Sequence, residues 1–213
     1  MDLIWRAVFT FTIFIIFATF HEYAHGWMAY RLGDPTAKRS GRLSLNPLAH
    51  IDPFMTIILP AMLLIFSRGR FAIGSAKPVP VNPFWLHNPK RDMIWVGLAG
   101  PSTNVAWALA LIIIMKSGLF SPAHPVYFVL FICMYINIIL LVFNMLPIPP
   151  LDGSRVVEGL LPDRYADQYS RLRPYGFMIL MVLVFLGVFG RLLFFVLSLV
   201  IGIFAIQIPP RFL

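Results

Sequence analysis

Charge is scarce in this chain. Only 12% of its 213 residues are Asp, Glu, Lys or Arg, 59% are apolar, and the mean hydropathy is +0.81. A soluble globular domain is about 25% charged and close to half apolar, so a soluble fold is excluded. Cysteine is scarcer still. Cys133 stands alone, so no intrachain disulfide can form, and its place inside an apolar run makes it a small packing residue. The chain has no internal repeat, no low-complexity tract and no break in composition that would mark a second domain. The first apolar run lacks a small-x-small cleavage site before its charged residues begin, and cleavage there would remove or truncate the segment 21–25. A retained helix is expected, not a signal peptide.

What is present is a series of apolar runs separated by short basic loops. The net charge of +8 would suggest a nucleic-acid partner in a soluble protein. Here the basic residues sit where membrane topology puts them, and no nucleic acid is expected as a partner. A span needs about 20 apolar residues. Leu3 to about Tyr30, Met93 to Met115 and Val126 to about Met145 meet that length. Residues 52–66 are short, with Asp52 before Pro53 reading as a helix cap; they form either a full span or a partial insertion. Tyr175 to Ile208 is long and interrupted by Gly187, Gly190 and Arg191, which predicts a helical hairpin at about 175–208. "FAIGSAKPVPVN", 71–82, reads as extended. The expectation is an all-α polytopic membrane protein. It would be one membrane-embedded domain over 1–213 with its core in 1–160. About five to six transmembrane helices would form a bundle with a short extended or re-entrant segment.

Lys and Arg counts give the orientation. If the 31–50, 68–92 and 150–174 loops face the cytoplasm, so do Lys38, Arg39, Arg42, Lys90, Arg91, Arg155, Arg164, Arg171 and Arg173. The other side keeps mainly Arg6, Lys116 and Arg191.

Against this background "TFHEYAHGW", 19–27, stands out: two histidines and a glutamate close an apolar run. Ionisable groups in a membrane helix are expensive and usually functional. His21, Glu22 and His25 spell H-E-x-x-H. On a helix, positions i and i+4 share a face, so two imidazoles can grip one zinc ion with the glutamate beside them. The bland alternative is a pair of buried histidines bonding to neighbouring helices. A catalytic zinc usually has three protein ligands, and the third has several candidates: Asp52, Asp152, Glu158, His50, His87 and His124. Asp52 has a capping role. The three histidines lie in loops near prolines and are expected to be solvated, as is Glu158. Asp152 follows "NMLPIPP", where prolines break a helix at its membrane end, and Gly153 gives the backbone freedom to turn a carboxylate inward. An ordinary Asp-Gly turn is the competing reading.

"HEYAH" together with "NMLPIPPLDG" resembles the site-2 protease family of intramembrane zinc metalloproteases. That family carries H-E-x-x-H on one core helix and N-x-x-P-x-P-x-L-D-G on another. The second motif is complete here in Asn144, Pro147, Pro149, Leu151, Asp152 and Gly153. "KPVPVNP" (77–83) and "GLAGPSTN" (97–104) also look like family segments, so the resemblance covers roughly 10 to 160. It implies one zinc ion held by His21, His25 and Asp152, with Glu22 as the catalytic base. Asn144, Pro147, Pro149 and Asn104 become candidate substrate-binding positions. It also implies a multi-pass protein of the cell membrane whose active site lies toward the cytoplasm. The expected activity is hydrolysis of peptide bonds in or near the transmembrane segments of membrane proteins, single-span ones above all. The chain opens on the H-E-x-x-H helix and leaves no room for a PDZ or nucleotide-sensing domain, so a compact form is expected. A non-proteolytic zinc transporter or scaffold is the rival. A transporter should show polar residues along a path through several helices, and here they cluster at one end.

Overall fold

The computed structural model describes residues 3–66, 74–210 and 212. Among the described residues every regular element is helical. The chain divides into two compact units, Met1–Asp92 and Met93–Leu213.

The first unit opens with α1, Leu3–Arg31. Its 29 residues rise about 43 Å, more than the ~30 Å of a hydrocarbon core, so one end must stand in the polar interface. Inside the helix, the buried Thr19 hydroxyl bonds back to the Ile15 carbonyl at 2.8 Å, which removes its cost in hydrocarbon. At the basic end Arg31 lies over the Trp27 ring, and Lys38 donates to the Tyr30 hydroxyl at 2.9 Å. Such aromatic and basic pairs suit a membrane–water boundary. Gly33 ends the helix with φ +109°, a conformation that favours glycine. Asp34, fully buried, then ties the turn together. It accepts from the amide and hydroxyl of Thr36, where α2 (Thr36–Arg39) begins, and from the Asn82 amide at 2.7 Å.

A 3₁₀ turn, Pro47–His50, and a π-helical turn, Pro53–Ile58, lead into α3, Leu59–Phe66. Asp52 caps this element as expected, accepting from the amides of Phe54 at 2.9 Å and Met55 at 2.8 Å. The six plus eight residues rise only about 21 Å, short of a bilayer core. Of the predicted extended stretch 71–82, residues 71–73 lie outside the described residues. Gly74–Asn82 is neither helix nor strand. Ser75 N bonds Met55 O at 3.2 Å, Lys77 N bonds His50 O at 2.8 Å, and Val79 N bonds the Glu22 carboxylate at 2.8 Å. Alternate residues thus face one way, as in a strand, but their partners are turns and a side chain.

The body of the second unit is α4, Pro89–Lys116, with α5, Pro125–Asn144. Then follow α6 (Asp152–Leu160), α7 (Asp163–Ser170), α8 (Gly176–Phe185) and α9 (Val188–Phe204). The core is built on α5, where Phe131, Met134 and Ile138 are fully buried. α5 packs on α9, with the Phe143 and Phe189 rings edge to face at 5.6 Å. Phe194, Phe195 and Ile203 of α9 remain exposed, as a lipid-facing side requires.

The all-α membrane class stands. By length and apolarity α1, α4 and α5 can each cross a membrane, and the segment ending in α8 with α9 makes a fourth if taken as one bent span. Counted in this way among the described residues, the spans are fewer than the five to six read from the sequence, because 53–66 is short and α8 has only ten residues. The segment expected as a hairpin bends by 68° at Leu186–Gly187, where Gly187 adopts φ +68°.

Candidate active site

His21, Glu22 and His25 lie on consecutive turns of α1. Both histidines are buried, at 4% exposure each. Their Nε2 atoms approach to 3.0 Å, with the rings nearly perpendicular. Nitrogens this close must share one proton or one cation, since two bare lone pairs would repel. Glu22 is half-buried. Its Oε2 accepts from Val79 N at 2.8 Å, and Oε1 takes no hydrogen bond among the described residues.

In the second unit Asp152 is buried and opens α6. A carboxylate in the first turn is favoured by the helix dipole, and Arg155 lies 3.6 Å away. The approach depends on glycine. A Cβ at Gly153 would run into the carbonyls of Met145 and Leu146, and one at Gly97 of α4 would stand 3.1 Å from the Asp152 carbonyl. Asn144 is the last residue of α5. Its Nδ2 donates back to the Leu140 carbonyl at 2.9 Å, and its Oδ1 has no partner among the described residues. Pro149 is fully buried and joined to Pro150 by a cis peptide, while Pro147 is exposed. Asn104 is fully buried and donates from Nδ2 to Asn137 Oδ1 at 3.0 Å.

The other candidate ligands are engaged elsewhere or exposed. Asp52 caps its turn, and both oxygens of Glu158 accept from Arg173 at 2.8 Å. His87 and His124 are exposed, and His124 caps α5. His50 departs from the expectation of a solvated side chain. It is 1% exposed, with Nε2 bonded to the Ser44 carbonyl at 2.8 Å. The cause is the fold of its own loop, which turns back to meet 74–82.

Sequence reasoning missed Val79, Asp34, Arg42 and Asn137. Only Val79 left a signal: in Pro78-Val79-Pro80 it holds the sole backbone N–H.

Comparison with known proteins gives the family. The profile of Peptidase family M50 matches residues 115–187, which include the Asn144–Gly153 motif. Two similar proteins carry the name "Putative zinc metalloprotease". YwhC of Bacillus subtilis is 38% identical over 79% of this chain and 76% of its own length. Rip2 of Mycolicibacterium smegmatis is 30% identical over 82% of this chain and 65% of its own length. No solved structure gives a significant match. With the family profile on the second motif and YwhC aligned over three quarters of both chains, the protein belongs to Peptidase family M50 and is a membrane metalloprotease of the site-2 type.

Proposed function

We propose that this chain is an intramembrane zinc protease that hydrolyses peptide bonds within or near the transmembrane segments of single-span membrane proteins. The observation that carries the reading is the pair of buried imidazole nitrogens 3.0 Å apart, with a half-buried carboxylate beside them, on a helix long enough to span a bilayer. Nitrogen donors from i and i+4 with a buried carboxylate form a set that suits zinc. His21, His25 and Asp152 would hold one ion, which supplies Lewis-acid polarisation and lowers the pKa of water. Glu22 takes the proton of the attacking water and passes it to the leaving amine. Oε1, uncommitted among the described residues, is the oxygen suited to that transfer.

A transmembrane helix hides its peptide bonds, so the substrate must unwind locally. Asn144 Oδ1 can then accept from a released substrate amide. The segment 74–82 either pairs with the unwound chain as an added strand or caps the site. Water must reach the reacting bond, which favours a site near the cytoplasmic end, where the apolar runs meet basic loops. The test is zinc content and cleavage of a single-span substrate by the detergent-purified chain. Wild type should hold about one zinc per chain and cut, Glu22→Gln should keep zinc without cutting, and Asp152→Ala should lose both. Cleavage by Glu22→Gln would overturn the base assignment, full zinc and activity in Asp152→Ala would overturn its place as a ligand, and a wild type that does not cut would return the transporter or scaffold reading.

A further inference from the structure

We infer that the backbone N–H of Val79 is a positioning group for Glu22, fixing one carboxylate oxygen so that the other is presented for proton transfer. This rests on the proposed role of Glu22 as the base. The contact is short, 2.8 Å from Val79 N to Glu22 Oε2. It is also the only one the local chain can make. Pro78 and Pro80 have no N–H, so across 78–80 Val79 supplies the sole donor. The two prolines further hold Lys77 and Val79, the residues before them, in extended backbone.

Four other contacts keep this amide in place. The buried Arg42 guanidinium donates to the carbonyls of Lys77 at 2.6 Å and Pro78 at 3.3 Å. Lys77 N is bonded to the His50 carbonyl at 2.8 Å. The Val79 side chain, 5% exposed, lies over Gly26, where an added Cβ would stand 3.0 Å from Val79 Cγ1. Gly26 and Glu22 are four residues apart on one face of α1. The amide and the side chain of Val79 therefore seat on the same strip of the helix that carries H-E-x-x-H.

A glutamate has three side-chain torsions, and a base that wanders loses the near-attack geometry on which rate depends. Holding Oε2 from a braced backbone removes most of that freedom while leaving Oε1 open. A carboxylate held only by water or by a flexible side chain would lack this constraint.

The experiment uses the full chain in detergent with a single-span substrate and reads kcat, KM and zinc content. Val79→Ala keeps the N–H but loses the side-chain seat over Gly26, so its kcat should fall less than that of Val79→Pro. Val79→Pro removes it and should lower kcat about 10- to 100-fold, with KM and zinc unchanged. Glu22→Asp draws the carboxylate back from the amide, so adding Val79→Pro to it should cost little more, the non-additivity of two changes at one contact. Wild-type kcat in Val79→Pro overturns the inference. So does a rise in KM or a loss of zinc in place of the fall in kcat, which would make the amide a substrate or scaffold contact. If Val79→Pro does not fold, Arg42→Gln decides. It frees the carbonyls of Lys77 and Pro78 and should lower kcat alone, and an unchanged kcat there overturns the inference. Glu22→Gln separates the two levels. If it cuts, the base assignment has failed. If it is inactive while Val79→Pro is fully active, only the positioning role has failed.

Discussion

The Nε2 atoms of His21 and His25 lie 3.0 Å apart in a buried stretch of α1. Two nitrogens this close share either one proton or one cation, and a zinc ion is the cation that two imidazoles at i and i+4 suit. His25→Ala is therefore expected to lower bound zinc from about one per chain to a small fraction and to abolish cleavage. A chelator should inactivate wild type, and added zinc should restore it. Elemental analysis of the purified chain checks both. Full zinc in His25→Ala would show that the pair serves packing.

Much of this was legible in the sequence because the physics is local. H-E-x-x-H needs only the period of a helix, the Asp52 cap needs only the next three residues, and the broken end of α5 is announced by Pro147, Pro149 and Pro150. What was hidden is long-range. Nothing near His50 says that it will be buried against Ser44, and nothing near Asp34 says that it will take the Asn82 amide, 48 residues away. The number of spans, five to six from the sequence against three or four by length and apolarity among the described residues, differs for a related reason. Apolarity marks a segment as membrane-compatible, but whether it crosses depends on helix length and on bends such as the 68° turn at Leu186–Gly187.

Asn104 and Asn137 make a second prediction. Both side chains are fully buried, they bond at 3.0 Å, and Asn137 also donates to the Cys133 carbonyl at 2.9 Å. Interhelical polar pairs in membranes contribute about 0.6–1.7 kcal/mol. Asn137→Leu should lower the midpoint of thermal unfolding in detergent, and Asn104→Leu added to it should cost less than it does alone. KM for the model substrate should stay constant throughout. A raised KM in Asn104→Leu without loss of stability would make Asn104 a contact of the substrate cleft.

Gly176 opens α8, outside both motifs, yet a Cβ there would fall inside the Pro149 carbonyl. A backbone carbonyl cannot swing aside as a side chain can. Gly176→Ala should therefore shift the 144–153 loop, destabilise the protein by about 1–3 kcal/mol and lower zinc content through Asp152. Gly190→Ala is the control. Nothing lies within 4 Å of a Cβ at that position, and alanine is the better helix former by about 1 kcal/mol, so stability should hold or rise. Equal behaviour of the two variants would refute the packing argument.

Asn144 supplies the last prediction. It is half-buried at the end of α5, one amide nitrogen is used on Leu140, and Oδ1 has no partner among the described residues. An unwound substrate brings N–H groups that have lost their helical acceptors, and leaving them buried and unpaired is costly. If Asn144 takes one of them, Asn144→Ala removes a contact that exists only once substrate has unwound. Cleavage should fall about 10-fold, the cost of one lost hydrogen bond, while zinc content and thermal stability stay at wild-type values. Asn144→Asp retains an acceptor and should recover part of the activity. A drop in bound zinc in Asn144→Ala would instead mean that the asparagine braces the loop leading to Asp152. In that case the fall in cleavage would follow from the missing metal and would say nothing of substrate.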